Sequence, residues 1–290
     1  MSPAVVAGAD RFGFLKRYAA GREDQRDAEA AGLEALAATR TVSVPRILER
    51  GTREGVPVLV LERLDTAGPA AAAAGEAAFG AALARLHRVT APAFGWARDN
   101  FIGASLQRNG WHDDWATFFR ERRLRVQLEL AASSASALEP GAAREALLEQ
   151  GAALLEQVEV LLAGHRPAPS LLHGDLWVGN WLVDRRRGQA FTFDPAVYHG
   201  DREADLAMTE LFGGFGAAFR AAYLQAWPLS PGFATRRDLY NLYHLLNHAN
   251  LFGGGYVAQS LAVIGRLRAA ARAATGQWPG DPGVPATALP

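Results

Sequence analysis

Three polar side chains near the middle of the sequence have the types and spacing that phosphoryl transfer requires. Asp175 lies in the string LLHGDLWVGN, Asn180 follows five residues later, and Asp194 ends a second apolar run beyond a basic turn at 185–188. Transfer from Mg-ATP needs one carboxylate that accepts the proton of the attacking hydroxyl, and an amide and a second carboxylate that hold metal ions. We therefore predict Asp175 as the catalytic base, Asn180 and Asp194 as Mg2+ ligands, and ATP and Mg2+ as cofactors.

The apolar runs on either side of the turn at 185–188 must bring these residues together. Two short apolar segments around an Arg-Gly turn are typical of a β-hairpin, which would place Asn180 and Asp194 at the same end. Each residue also has a plainer explanation, because Asp175 could cap a turn and Asn180 could form an Asx-turn. The complete order, Asp-x4-Asn followed by Asp, favours the catalytic interpretation. Protein-kinase-like enzymes show this order, with HRD where this chain has HGD and DFG where it has DPA.

Composition narrows the class of protein. A chain of 290 residues can form one large domain or two lobes, and 49% hydrophobic residues can build a sizeable core. A formal net charge of zero and a pI of about 7.1 give no indication of a nucleic-acid or membrane-surface partner. The absence of cysteine excludes disulfides and thiolate metal sites. No apolar run reaches the roughly 18 residues of a membrane span, so we predict a soluble, cytoplasmic protein. The oligomeric state is left open by the sequence.

The N-terminal part contains the only lysine of the chain, Lys16; every other basic residue is arginine. Apolar runs at 3–7 and 12–18 around a turn at 8–11 predict a β-hairpin with Lys16 on its second strand. The segment 27–38 has helical spacing and carries Glu29. A strand lysine paired with a helix glutamate is how a kinase small lobe holds its phosphate-binding lysine, and we predict that pair here. A solvated glutamate on the helix surface is the alternative.

Two further strands, at 42–49 and 56–61, are predicted around a turn at 51–55. In a kinase-like fold the residues after the second strand, Glu62 to Leu64, form the hinge whose backbone pairs with adenine. The segment 66–75 is rich in Ala, Gly and Pro and is expected to link two lobes. The predicted division is a small β lobe with one helix at 1–66, which binds nucleotide, and a mainly helical lobe at 67–290, which carries the catalytic, metal and substrate residues.

The predicted large lobe contains helices at 76–89, 141–163 and 237–253, with a surface loop at 133–141 and a frayed tail at 276–290. Four aromatic residues fall at helical spacing and predict a core stripe: Trp111, Trp115, Phe118 and Phe119. Asp205 is a candidate for accepting backbone N–H groups of the catalytic loop, and otherwise a helix N-terminal carboxylate. His244 and His248 share a helix face with Asn241, which favours substrate hydrogen bonding or plain helix surface over a metal site. His87 is expected to pack or cap.

The sequence resembles the fructosamine (ketosamine) kinases, within the aminoglycoside-phosphotransferase and protein-kinase-like superfamily. The resemblance covers nearly the whole chain and rests on LLHGDLWVGN, FDPAVYHGDREADLAMTELFGGF, LYHLLNHANLFG and the NFIG segment with DWATFFRERRL. It implies an α+β, two-lobed protein-kinase-like fold and ATP-dependent phosphorylation of a sugar hydroxyl on a ketosamine, free or on a glycated protein, as deglycation repair. Carried over by position, Lys16 contacts phosphates and Glu29 pairs with it. Trp177 is then placed as an apolar platform for the sugar, or packs beside the loop.

One departure from the family concerns the N-terminus. Only 15 residues precede Lys16, whereas family members usually have a further strand and a Gly-rich phosphate loop ahead of it. Because strands average about 5–6 residues, we expect either a start site placed too far downstream, with a truncated small lobe, or a less completely covered nucleotide. Two alternatives stay open: a kinase of the same fold acting on an aminoglycoside, choline or another sugar, and a catalytically weak, kinase-like binding protein.

Overall fold

The computed structural model describes residues 5–9 and 13–276, with side chains from Gly13 onward except at 69–72. Its strands are β1 (Val5–Ala9), β2 (Phe14–Tyr18), β3 (Ile47–Arg53), β4 (Val56–Leu61), β5 (Asn100–Ile102), β6 (Ser105–Gln107), β7 (Ser170–Leu172), β8 (Trp181–Asp184), β9 (Gln189–Thr192) and β10 (Tyr198–Gly200). Its α-helices are α1 (Glu23–Thr39), α2 (Pro69–Leu86), α3 (Trp115–Phe119), α4 (Arg125–Ala132), α5 (Ala142–Leu155), α6 (Val158–Leu161), α7 (Glu203–Leu211), α8 (Ala217–Ala226), α9 (Phe233–Phe252) and α10 (Gly255–Thr275). The fold is α+β, as predicted, with a small antiparallel sheet and a mainly helical remainder.

The small sheet has the order β1-β2-β4-β3, with every neighbouring pair antiparallel. Lys16 on β2 lies opposite Leu59 of β4. The interior of β4 is buried, as its unbroken apolar sequence predicts, whereas β3 at the edge alternates between half-buried and exposed residues. Helix α1 packs Ala30 and Leu33 into a core shared with Tyr18 and β4. The sheet and α1 thus form one unit that fixes the position of Lys16.

The predicted boundaries of this unit need correction. Positions 8 and 9 belong to β1 and pair with β2, so the turn predicted at 8–11 is wrong at these two positions. Residues 3, 4 and 10–12 of the predicted hairpin lie outside the described residues. The strand expected from position 42 begins only at Ile47, because Pro45 has no N–H to donate to a ladder. Residues 51–53 extend β3, and the turn is confined to Glu54 and Gly55, both with positive φ.

The expected linker at 66–75 is largely wrong. Helix α2 begins at Pro69 and includes the alanine run, because alanine is the best helix former and proline is favoured in the first helical turn. The helix ends at Leu86 rather than at position 89. The residues expected inward on it, Phe79, Leu83 and Leu86, are buried. The division at 66/67 stays a prediction.

The helical region has a large core formed by α3, α4, α5, α7, α9 and α10, and a second core between α2, α8 and the β8–β9 hairpin. Helix α9 runs through the first core and buries the predicted inward residues Leu239, Leu242, Tyr243 and Leu246. The predicted aromatic stripe is confirmed at Trp115, Phe118 and Phe119 but wrong at Trp111, which precedes the helix and is 49% exposed. The helix expected at 141–163 is divided into α5 and α6 by a turn at 156–157.

Two short antiparallel strand pairs flank Asp175, Asn180 and Asp194 in the centre of the chain. Strands β8 and β9 pair from Trp181 opposite Thr192 to Asp184 opposite Gln189, which confirms the predicted hairpin. Strand β10 pairs with β7, so the chain returns beside the segment that precedes Asp175. None of the helices in 13–276 combines the length and apolar character of a membrane span. The predicted tail, from 277 onward, lies outside the described residues.

Candidate active site

The catalytic loop leaves β7 at Leu172 and turns sharply at Gly174. Gly174 has φ +83°, and a Cβ atom there would lie 2.0 Å from the carbonyl oxygen of Ala196. Only glycine tolerates both the left-handed backbone and this close approach. The amide of Ala196 in turn donates to the carbonyl of His173 at 2.8 Å. The loop before Asp175 is therefore packed directly against the chain that follows Asp194.

Asp205 fixes this loop, as the sequence suggested. Its two carboxylate oxygens accept the backbone N–H groups of His173 (2.7 Å) and Gly174 (2.9 Å). His87 is fully buried, with Nε2 3.1 Å from Asp205 Oδ2 and Nδ1 2.7 Å from the hydroxyl of Tyr223. Burial raises the pKa of Asp205, but hydrogen bonds from His87 and from the Gly174 amide outweigh it and the pKa is lowered. Asp205 is accordingly a buried carboxylate that stays ionised.

Asp175 and Asn180 are held together across a single 3-10 turn, Val178–Asn180. The Asn180 side-chain N–H2 donates to the backbone carbonyl of Asp175 at 2.9 Å and to its Oδ2 at 3.1 Å. Burial, and then the nearby charge of Asp194, raise the pKa of Asp175 to about 7. A carboxylate whose pKa lies near neutrality is suited to accept and later release a proton.

Asp194 reaches the same place from the β8–β9 hairpin. The amide of Phe193 donates to the carbonyl of Asn180 at 3.0 Å, which extends the hairpin by one bond and sets Asp194 beside Asn180. Asp194 has φ +54°, an uncommon conformation for a residue other than glycine. Its side chain remains 46% exposed. Strained backbone at a chemically suited residue is typical of functional sites.

Lys16 joins this group from the small sheet. Its Nζ donates to both Glu29 oxygens, at 2.6 and 2.7 Å, and to Asp194 Oδ1 at 2.8 Å. Tyr18 also donates to Glu29, at 2.7 Å. Burial lowers the pKa of Lys16, but the two carboxylates outweigh it and raise the pKa above the ordinary lysine value. The predicted contact between Lys16 and Glu29 is present, and the lysine is firmly cationic.

The residues present fit a magnesium ion and the phosphates of a nucleotide. Carboxylate and amide oxygens are the protein ligands that Mg2+ prefers. Asn180 uses its side-chain N–H2 group on Asp175, and its side-chain Oδ1 has no hydrogen-bond partner within 13–276. Asp194 is accessible. Lys16 supplies the point charge that phosphates require. Asn180, Asp194 and Lys16 would therefore hold the metal and the phosphates.

A cavity of about 410 Å³ contains this whole group. Of the residues proposed from sequence, it is lined by Lys16, Glu29, Asp175, Trp177, Asn180, Asp194 and His248. The β5–β6 hairpin and the end of α9 form its outer wall, with Phe101, Leu251 and Phe252. Glu62, Leu64 and His244 do not line it.

The residues predicted to form the hinge, Glu62 to Leu64, are not among those that line this cavity. The amide of Glu62 already donates to the carbonyl of Arg46 at 2.7 Å, and its side chain pairs with Arg187 and Arg46. The backbone of Leu64 has no hydrogen-bond partner among the described residues. Adenine pairing by this segment would thus use Leu64 or the Glu62 carbonyl, and it stays a prediction.

The two histidines of α9 have different environments. His248 donates from Nδ1 to the carbonyl of His244 at 2.8 Å and lies 5.0 Å from the ring of Phe212. Phe212 also makes an edge contact with Trp177, which is half-buried. His244 is buried behind them, and burial lowers its pKa to about 3, with a smaller effect of His248. His248 and Trp177 are therefore placed to touch an acceptor, whereas the predicted substrate contact of His244 is not supported by its position.

Sequence reasoning missed a buried amide network that holds the chain after Asp194. Asn100 donates to the carbonyl of Val197 at 2.8 Å, and Gln107 donates to the carbonyl of Ala196 at 3.0 Å. Asn109 and Tyr243 complete the network by bonding to Asn100 and Gln107. Asn100 lies on β5 and Gln107 on β6. The available signal was three amide side chains in a short segment between apolar residues.

Comparisons with known proteins identify the family of the chain. The family model described as Fructosamine kinase matches residues 3–270. A Synechocystis protein named "Probable ketoamine kinase" is 44% identical over 263 residues, which cover 88% of this chain and 82% of the relative. The chloroplastic protein-ribulosamine 3-kinase of Arabidopsis thaliana is 38% identical over 241 residues, covering 82% of this chain and 70% of that protein.

Solved structures of other proteins also resemble this chain. The crystal structure of a Haemophilus somnus 129PT protein is 29% identical with a TM-score of 0.79, over 91% of this chain and 86% of that one. The choline kinase of Streptococcus pneumoniae, at 14% identity and a TM-score of 0.55 over 93% and 91% of the two chains, shares the fold alone. Family model, relatives and geometry agree, and the chain belongs to the fructosamine kinase family.

Proposed function

We propose that this protein is an ATP-dependent kinase that phosphorylates a sugar hydroxyl of a ketosamine, a fructosamine or ribulosamine formed by glycation. The observation that carries the proposal is that Asp175 and Asn180 from one loop, Asp194 from the end of the β8–β9 hairpin and Lys16 from the small sheet line one cavity. The relatives named as ketoamine and ribulosamine kinases support the acceptor class. The protein would act in the repair of glycated amines, free or on proteins.

Asp175 is the base in this proposal. Its carboxylate, with a pKa near 7, orients the acceptor hydroxyl and takes its proton as the new O–P bond forms. Asn180 fixes the side chain of Asp175 through Oδ2 and leaves the other carboxylate oxygen available to the hydroxyl. The chain contributes positioning and electrostatic stabilisation rather than a covalent intermediate.

Lys16, Glu29, Asn180 and Asp194 form the cofactor-holding part of the site. Bound Mg-ATP supplies the phosphoryl group and the cations that offset its negative charge. Asn180 and Asp194 would hold the metal, while Lys16, kept in place by Glu29 and Tyr18, would contact the phosphates. Leu64 and the carbonyl of Glu62 would pair with adenine. Trp177 and His248 would border the sugar, with the indole as an apolar surface for its C–H groups.

The test is release of ADP from Mg-ATP by the purified protein with a fructosamine, a ribulosamine, an aminoglycoside, choline or no acceptor. We expect turnover that depends on the ketosamine and is lost in Asp175→Asn. This variant should fold at least as stably as the wild type above pH 7, because it removes a carboxylate whose ionised form is disfavoured beside Asp194. Asn can still accept the bond from Asn180. Near-wild-type turnover by Asp175→Asn would refute the assignment of Asp175 as the base.

The outcome of the acceptor panel also decides between related functions. Turnover with choline or an aminoglycoside alone would identify a different kinase of the same fold. Nucleotide binding without turnover for any acceptor would favour a binding protein. A cytoplasmic location remains a prediction from the sequence, and one plant relative is named as chloroplastic.

A further inference from the structure

Asn247 on α9 is a buried amide that lines the cavity containing Asp175, and the residue is 3% exposed. Its side chain has one long hydrogen bond among the described residues, in which Oδ1 accepts from Gln127 Nε2 at 3.5 Å. Its Nδ2 donates to no atom of residues 13–276 and, unlike the unpaired Oδ1 of Asn241, is not sealed from solvent. Asn247 therefore holds an unused N–H2 donor that a group in the cavity can reach.

The orientation of this amide is fixed by hydrogen bonds that start at a backbone carbonyl. The side-chain N–H2 of Asn250 donates to the carbonyl of Gln127 at 2.9 Å, and a carbonyl can only accept, so the Asn250 amide has one orientation. The same Nδ2 donates to Gln127 Oε1 at 2.9 Å, which turns Gln127 Nε2 toward Asn247. Because an N–H2 group faces Asn247 on that side, the oxygen of Asn247 must lie there. Nδ2 is the atom left for the cavity.

The neighbours of Asn247 associate it with the acceptor rather than with the nucleotide. Asn247 directly precedes His248, which would border the sugar, and α9 packs mainly against α4, α7 and α10 in the helical region. Burial raises the pKa of Tyr243, one turn earlier on α9, and the nearby charge of Asp175 raises it further. Lys16, which would contact the phosphates, lies on β2 of the small sheet. The donor of Asn247 thus belongs with the base and His248, where the acceptor would lie.

We infer that Asn247 is a specificity-determining residue whose Nδ2 donates a hydrogen bond to a hydroxyl oxygen of the acceptor sugar. The inference rests on the proposed function, because it assumes a ketosamine in this cavity. Asp175 offers the sugar an acceptor, whereas Asn247 offers it a donor, and a hydroxyl can pair with either. An acceptor that lacks the matching hydroxyl would leave the buried N–H2 group unpaired. Sites that hydrogen-bond a substrate hydroxyl discriminate strongly against analogues without it.

Asn241 provides a matched control on the same helix. It is 6% exposed, its Oδ1 is buried without a partner among the described residues, and it does not line the cavity. Leucine is branched at Cγ, as asparagine is, but carries no hydrogen-bonding group. Alanine, the best helix former, removes the same amide without adding bulk, so the test remains valid if leucine does not fit. Only at position 247 should either change affect the ligand.

The experiment measures the Kd of the ketosamine and of ATP by calorimetry, with steady-state KM and kcat, for the wild type and for leucine and alanine variants at both positions. Asn247→Leu and Asn247→Ala should raise the Kd and KM of the ketosamine about fivefold or more, the size expected when one neutral hydrogen bond is lost. The Kd of ATP and the kcat should stay within about twofold, because the contact is made equally in the ground state and the transition state. Ketosamine analogues that each lack one sugar hydroxyl identify the oxygen, since one analogue should bind the wild type and Asn247→Leu with equal Kd.

The possible outcomes separate the inference from the proposed function. An unchanged ketosamine Kd in both Asn247 variants, an equal effect of the Asn241 variants, or a loss confined to ATP overturns the role of Asn247. So does a series in which no analogue removes the difference between the wild type and Asn247→Leu. A wild-type protein that binds the ketosamine without turnover contradicts the proposed function and leaves Asn247 to be judged by Kd. Absence of ketosamine binding to the wild type contradicts both.

Discussion

Replacing Asp205 with asparagine should uncouple the catalytic loop from the helical core. The carboxylate accepts two backbone N–H groups, from His173 and Gly174, and lies beside the buried His87. An asparagine has one oxygen, so one of the two amides would face an N–H2 group instead of an acceptor. Hydrogen bonds to charged groups contribute about 1.5–3 kcal/mol each, and breaking a buried charged pair costs about 3–5 kcal/mol. We therefore expect Asp205→Asn to lose about 3 kcal/mol of unfolding free energy.

Catalysis should suffer beyond this loss of stability. Asp175 directly follows Gly174, so a loop held at one point instead of two should misplace the base and lower kcat at least tenfold. Urea unfolding and steady-state kinetics in the folded range measure the two effects separately. The control is Leu267→Ala on α10, whose side chain is 1% exposed in the helical core and should cost a similar about 2–5 kcal/mol with unchanged kcat. An unfolding free energy within about 1 kcal/mol of wild type, or a kcat equal to that of the control, would contradict the role of Asp205.

Two further predictions concern the same loop. Because Asp175 has a pKa of about 7 and must be ionised to accept a proton, kcat/KM should fall about tenfold per pH unit below pH 7 and level off above it; a profile that stays flat down to pH 6 would contradict the assignment. Gly174→Ala should lose about 3 kcal/mol or more of unfolding free energy, because it adds a clash with Ala196 to the strain of a positive φ. Gly21→Ala has a similar φ of +77° but open space around it, so it should cost only the about 1–2 kcal/mol of backbone strain in the same unfolding assay; equal losses would show that the clash is unimportant.

That the residues of the site meet at one place could be predicted because three of them are close in sequence. Asp175, Asn180 and Asp194 lie within twenty positions of one another, and a single hairpin recognisable from its apolar runs brings them together. Lys16 stood out for a different reason, since every other basic residue in the chain is arginine. Local pattern and residue type were sufficient in these cases.

Apart from the contacts of Asp205 with the loop and of Lys16 with Glu29, the contacts that support the site could not be predicted, because they join distant segments. His87 and Asp205 are 118 positions apart, and nothing in the sequence around either residue indicates that the imidazole of His87 contacts the carboxylate of Asp205. Gln25, near the start of α1, lines the same cavity as Asp175, 150 positions later in the chain. The prediction for Trp111 was wrong for a local reason. Asp114 caps α3 by accepting the Thr117 amide, so the helix begins after Trp111. The predicted linker at 66–75 was wrong because composition alone does not distinguish a linker from a helix rich in alanine.

The state of Lys16 explains why a lysine is retained in a chain that otherwise uses arginine. An ammonium group has three N–H donors, and all three are engaged: two with Glu29 and one with Asp194. A planar guanidinium can donate two parallel hydrogen bonds to one carboxylate. Its N–H groups are spread over a plane, so it could not replace a compact ammonium that lies between two carboxylates. Contact with a phosphate must then replace one of these bonds. Asp194 is the partner to yield, because its side chain is 46% exposed whereas that of Glu29 is 13% exposed and also bonded to Tyr18. In the proposed function the same exchange would leave Asp194 available to hold a metal ion.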